Sequence, residues 1–460
     1  MNMTRRKFIS SAAGVVLASA LAETGIGWAT TSSTASASPT TPEGTFDVRD
    51  YGAQCDGVTD DAPAIAAAFA AMLNASGHPD GTLYIPGKCH VHTTIDLDCG
   101  YPSNPASWSN PAASGGERFV VICDGLLAEA GIGTAISLHN GYNVDAHIRF
   151  VGGGQLSDIG LYVDALAYPH LVVEGMRFAG TVLKADGASG GSGVNEVRDC
   201  SVNVTNCGRA IDFHGINAFG YFTSIIDIGC VNGSVFDNCA DIGIGEYENW
   251  SPATQTIGLY FKNCNLMNIG TITLGDRASE AMLKIEGGDF GYISHVRVSG
   301  VAAHKPGAGL ILKDVESICI GHIVTKYCPK GIYIQGCGKV VIRQHQSLTG
   351  DDVPLYIDKG TTLSAPVVHI QQALYRSCNR QACYVAAGVT GGRLAIGGEI
   401  ELEGIAATGP FYTFESGSPG FHIYTQGLHK VRRTWTRGAF GTPNNRKLVH
   451  VSGGRVANNR

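Results

Sequence analysis

From about residue 170 onward the chain is written in short runs of the form apolar-x-apolar, each closed by polar turn residues. That alternation has the two-residue period of a strand with one buried face, and no helical periodicity separates the runs. Seven runs can be laid under one another: Ile211-Asp212-Phe213, Ile242-Gly243-Ile244, Ile272-Thr273-Leu274, Val296-Arg297-Val298, Ile332-Tyr333-Ile334, Leu355-Tyr356-Ile357 and Cys383-Tyr384-Val385. Their first residues are 31, 30, 24, 36, 23 and 28 apart. A turn with Asn-Cys or its equivalent recurs at Asn206-Cys207, Asn238-Cys239, Asn263-Cys264 and Tyr327-Cys328. A period in the twenties with variable insertions predicts a solenoid, and strands this short predict a parallel β-helix. β-Propeller blades, roughly 40 residues each, fit the spacing worse. The fold expected is therefore all-β, with aliphatic residues and Cys inside and Asn and Gly at the turns.

An open β-helix end exposes apolar core and strand edges, so it needs a cover. Residues 62–73 supply a helix for that purpose, with Asp60 or Asp61 as N-cap and Pro63 in the first turn. Ile65, Phe69, Met72 and Leu73 form its apolar face.

Here the sequence becomes more specific. Phe46 to Ile65 reads FDVRDYGAQCDGVTDDAPAI, and Gly81 to Gly87 reads GTLYIPG. Both resemble the opening of the pectate-lyase-like superfamily, which includes the rhamnogalacturonase and polygalacturonase groups and many phage tailspike depolymerases. The two motifs cover about forty residues, and the repeat extends the likeness to about residue 425. The resemblance implies a right-handed parallel β-helix with an N-terminal capping helix, and action on polysaccharide as a hydrolase or lyase. It also leaves a homotrimer open, since trimers occur among such proteins.

Composition narrows the classes. Gly makes up 62 of 460 residues, roughly twice the ordinary share of about 7%. Charged residues are 16%, which is too few for a coiled coil, while 44% hydrophobic residues argue against disorder. A net charge of −6 disfavours a nucleic-acid partner.

The N-terminus reads as an address. Thr4-Arg5-Arg6-Lys7-Phe8-Ile9 followed by a mild apolar run to about Ala22 resembles a twin-arginine export signal. The run is too short to span a bilayer, where about 20 residues are needed, so no stable membrane insertion is expected. Ala35-Ser36-Ala37 offers a cleavage site. Loss of residues 1–37 removes Arg5, Arg6, Lys7 and Glu23, which moves the net charge from −6 to −8. The organisation expected is a signal over 1–37, a linker over 38–45, a β-helix over 46–425 and a basic tail over 426–460. The location expected is periplasmic or extracellular. Fourteen cysteines in an exported chain suggest disulfides, yet their recurrence at repeat turns reads as buried structural thiols. No Cys or His spacing fits a zinc site, so no metal or cofactor is expected for a hydrolase. A lyase would call for Ca²⁺.

Candidate chemistry lies where insertions gather, over residues 215–224, 245–256, 275–280 and 300–309, which are expected to be loops walling a groove. Glu246 follows Ile244-Gly245 and Asp276 follows Leu274-Gly275, so they are expected at one position on successive coils. Carboxyls one coil apart suit a glycosidase pair. Glu248, Asp212 and His214 join them as further catalytic candidates. Tyr247, Trp250, Arg277 and Arg297 surround the pair as sugar contacts. Arg297 and Lys305 would serve as base in a lyase. The middle residues Tyr333, Tyr356 and Tyr384 predict an outward ladder for sugar stacking. Gly350-Asp351-Asp352 is similar to the Gly-Asp-Asp element of polygalacturonases, although that family's Asn-Thr-Asp, Gly-His-Gly and Arg-Ile-Lys elements are missing. The reading that unites these features is an exported glycoside hydrolase, with a polysaccharide lyase next. The alternatives are a non-catalytic glycan-binding surface protein and a tailspike-like depolymerase.

Overall fold

Buried and exposed residues alternate through most strands, and the backbone answers with parallel ladders. A computed structural model describes residues 44–73, 77–100, 119–167, 169–186, 199–303, 305–348, 350–361, 365–376, 381–397, 400–403, 412–415, 420–426, 429–431, 449–452 and 457–458. The proposed signal and most of the linker lie outside them. Among the described residues every pairing between strands is parallel, and the chain forms a right-handed parallel β-helix.

Each full coil contributes to three sheets. Ala240–Lys262 shows this within 23 continuous residues. Ile242 and Ile244 pair with Gly220 and Phe222 on what we call the second sheet, and Glu246 to Trp250 pair with Ser224 to Ile228 on the third. Leu259 to Lys262 then pair with Ser234–Asp237 on the first. Gly245 and Gly270 form the corner between second and third sheets. A Cβ on Gly270 would lie 2.3 Å from the Gly245 carbonyl oxygen, so only glycine lets successive coils close there.

The segments expected as loops over 215–224, 245–256 and 275–280 are thus largely strand, as is the start of the one over 300–309. Polar outward residues made them look like insertions, but their inward partners, such as Phe222, Ile225 and Ala278, are buried. The seven aligned runs divide likewise. Ile211, Ile332, Leu355 and Cys383 begin runs of the first sheet, whereas those at Ile242, Ile272 and Val296 belong to the second and third. Followed along one sheet, the rungs Asp212, Val235, Tyr260, Lys284, Ile311, Tyr333, Tyr356 and Tyr384 are 23, 25, 24, 27, 22, 23 and 28 residues apart.

Inside, like stacks on like. Phe213, Phe236, Phe261 and Phe290 form a column with ring centroids 5.6, 5.1 and 5.1 Å apart. Each such buried side chain contributes on the order of 1.5–3 kcal/mol. At the turns Asn206, Asn238, Asn263 and Tyr327 take φ of 55°, 55°, 51° and 55°, and the following cysteines point inward. Their thiols reach backbone carbonyls, as Cys264 does to Phe236 at 3.3 Å. The thirteen described cysteines are free thiols.

The cap helix runs Ala62–Ala71, with Ile65 and Phe69 buried and Phe69 against Phe119 at 5.6 Å. Asp61 occupies the N-cap position without capping it. Its carboxylate instead accepts from the backbone N–H of Gln54 at 2.7 Å and His90 at 3.1 Å, while Asp60 accepts from Ala62 N–H at 3.1 Å. Parts of the expected basic tail continue the ladder, since Val449–Ser452 pairs with His422–Gln426. Among the described residues no helix is long and apolar enough to cross a membrane.

Candidate active-site face

The outward rungs of the first sheet form two columns, because residues i and i+2 of each strand share a face. One column runs Tyr162, Lys184, Asp212, Val235, Tyr260, Lys284, Ile311, Tyr333, Tyr356, Tyr384. Beside it stand Asp186, His214, Asp237, Lys262, Glu286, Lys313, Gln335 and Asp358.

Asp212 lines a pocket of ≈ 220 Å³ shared with Ser157, Thr181, Lys184, Arg209 and Asn232, and His214 stands two residues further along the same strand. The Asp212 carboxylate is held by Arg209 Nη1 at 3.0 Å and by His214 Nε2 at 3.0 Å. On the next coil, Asp237 lies 3.9 Å from His214 Nδ1 and is itself held by Lys262 at 2.9 Å. One imidazole therefore stands between two carboxylates, each fixed by its own cation. By coil step and strand rise, the Asp212 and Asp237 backbones are about 8 Å apart.

Further along the face, charge gives way to aromatic rings. Burial opposes the Glu286 carboxylate, but Lys313, Tyr260 and Lys284 outweigh it and bring its pKa down to about 2. Tyr333 and Tyr356 meet edge to face at 5.2 Å, and Tyr356 stacks on Tyr384 at 4.7 Å. The ladder read from the sequence thus exists at these three rungs. The Lys330 ammonium lies 3.9 and 4.1 Å from the centroids of Tyr333 and Tyr356, and burial lowers its pKa. Tyr333 also donates to Asp358 at 2.8 Å. From Asp212 to Tyr333 is five coil steps, about 24 Å.

The remaining candidates lie elsewhere. Glu246 pairs with Thr271, while Asp276 pairs with Ser251 and Gly300, so the two acids are five residues out of register. The expected stack of Glu246 on Asp276 does not exist, because Gly245 is a corner and Gly275 is five residues past the equivalent corner at Gly270. The side chains of Asp276 and Arg277 lie outside the described residues. Tyr247 points into the coil interior, where its hydroxyl donates to buried Asp227 at 3.2 Å, so it is no sugar contact. Trp250 lies across the third sheet over Gly275 and donates through Nε1 to Glu248. Glu248, Thr273 and Arg297 occupy one column there, facing away from the Tyr ladder's sheet.

Asp351 is fully buried. It accepts from Thr325 Oγ1 at 2.6 Å, Ser347 Oγ at 2.7 Å and Cys328 N–H at 2.7 Å, and burial raises its pKa. That closed set makes it a turn clamp, out of a substrate's reach. Asp352 is partly exposed and lies 3.5 Å from Lys305. Reading the sequence missed Arg209, Asp237, Lys184 and Lys330. The signal was present, since the residue two after each outward rung is polar in eight successive coils from Asp186 to Asp358.

No family model and no curated protein matches the chain. Among solved structures, the A-module of the Azotobacter vinelandii mannuronan C-5 epimerase AlgE6 is similar, with a TM-score of 0.33 and 13% identity. The match covers 90% of this chain and 100% of that one. A likeness of that size carries no argument about activity.

Proposed function

We propose that the chain is an exported polysaccharide-acting enzyme that receives its substrate along the first sheet, and that Asp212, His214 and Asp237 cleave it as a glycoside hydrolase. The observation that carries this reading is the His214 imidazole held 3.0 Å from Asp212 and 3.9 Å from Asp237, on the face that carries the Tyr ladder. Asp212, anchored by Arg209, orients the imidazole. His214 gives its proton to the glycosidic oxygen as the C–O bond breaks. Asp237 takes the proton of the water that attacks the anomeric carbon. Tyr333, Tyr356 and Tyr384 hold a distant stretch of the same chain through their outward ring edges and hydroxyls. The length of the face suits a polymer, since about 34 Å separates the rungs of Asp212 and Tyr384.

A second reading is β-elimination from a uronate, with His214 as base. Lys184 and Arg209 favour it, because both line the pocket beside Asp212 and would face an acidic sugar.

The test incubates residues 38–460 with neutral and acidic polysaccharides, following new reducing ends and the ultraviolet absorbance of an unsaturated uronate. Hydrolysis gives reducing ends without absorbance, and His214→Ala or Asp237→Asn lowers the rate roughly 10²–10⁴-fold. Absorbance would instead establish elimination. Binding without any product, weakened by Tyr356→Ala, would make the protein a glycan binder. Full activity in both variants would remove the catalytic assignment.

A further inference from the structure

Apart from the proposed catalytic face, the seam between the N-terminal cap and the first coils gathers three metal-binding side chains. His90 lies in the strand Cys89–Val91, His92 follows it, and Glu129 follows the strand Phe119–Ala128. The backbone sets all three. Glu129 N–H donates to the Val91 carbonyl at 2.9 Å, and His92 N–H donates to Asp60 at 3.1 Å. His90 N–H donates to Asp61 at 3.1 Å.

The His90 ring is oriented by its surroundings. Its Nδ1 lies 3.3 Å from the Val58 carbonyl oxygen and 3.2 Å from His92 Nε2. Its Nε2 faces a Glu129 carboxylate oxygen at 3.4 Å. Ligand bonds of about 2.0–2.1 Å at tetrahedral angles put neighbouring donor atoms about 3.4 Å apart. The exposed His92 ring stands edge-on to His90 with centroids 4.5 Å apart, and the donor atoms of His90, His92 and Glu129 all lie within 4.8 Å of one another.

We infer that His90, His92 and Glu129 bind one divalent ion of the zinc class, which staples the segment around Val58 and the first two coils together. Two imidazoles and one carboxylate select late first-row ions over calcium or magnesium, which prefer oxygen. Three protein ligands leave a fourth position for water. The neighbouring cluster of Cys55, Asp61 and Cys89 is less suited. Its sulfurs are 2.8 Å apart, too close for two ligands of one zinc, and Asp61 is occupied by backbone donors.

The test uses the untagged full chain stripped with a chelator, titrated with ZnCl₂ by calorimetry and with CoCl₂ by visible absorption. One equivalent should bind, with cobalt d–d bands and no thiolate charge-transfer band. Zinc should also raise the melting temperature, as any native-state ligand does. His92→Ala and Glu129→Gln, both at exposed side chains, should each weaken binding by roughly tenfold or more with unchanged circular dichroism. Absence of saturable binding would overturn the inference and leave His90 paired with Glu129 alone. Binding untouched by both variants would also overturn it. A thiolate band lost in Cys55→Ser would move the metal to the cysteines and overturn it as well.

Discussion

Asp351 and Asp352 are neighbours in sequence with opposite circumstances. Three donors converge on buried Asp351, whereas Asp352 shares a solvent-screened contact with Lys305. Asp351→Ala should therefore lower unfolding free energy by about 3 kcal/mol, because it strands buried donors. Asp352→Asn should change it by less than about 1 kcal/mol. Urea midpoints measure both, and loss of activity without loss of stability in Asp351→Asn would restore a catalytic Gly-Asp-Asp. Glu286 supplies the pH counterpart. Its folded pKa of about 2 lies below the ordinary 4.5, so its contribution is present above pH 4.5 and lost as pH falls toward 2. Glu286→Gln should flatten stability against pH across that window and leave it unchanged in slope near neutrality. At this scale the sequence showed which residue types stood on outward rungs but not their neighbours. Arg209 and Asp237 become site residues only when coils 23 residues apart are laid side by side.

Strand and corner are inseparable in a coil that serves three sheets. Gly270 packs beneath the Gly245 carbonyl with no room for a methyl group. Gly270→Ala should cost about 1–3 kcal/mol, as overpacking of a closed site does, with the backbone shift felt on the second and third sheets. Chemical denaturation of the variant, compared with Gly388→Ala at a turn of positive φ, would separate crowding from backbone strain. Apolar alternation made the solenoid legible, as did the Asn-Cys turns and the helix over the first coil. The three-sheet coil was not legible, because a corner resets the two-residue period without leaving a break in composition. Long strands with Glu246, Glu248 or Thr273 outward therefore looked like insertions. That single misreading produced the false pairing of Glu246 with Asp276.

At the level of the whole molecule, the cap helix is what separates a finished core from an open one. Phe69 is 6% exposed and covers the first coil beside Phe119. Phe69→Asp should expose that coil's apolar interior and its strand edge, producing soluble aggregates in light scattering before any loss of far-ultraviolet strand signal. An unchanged monomer would show that the edge is protected by something other than the helix. The parallel ladder that runs from coil to coil has a mechanical meaning as well. Its hydrogen bonds point along the solenoid axis, so tension applied to the two ends opens them one coil at a time instead of shearing a sheet at once. Under force such a molecule lengthens in a staircase of small, repeated yields, and a partly peeled chain can wind back from the coils that remain.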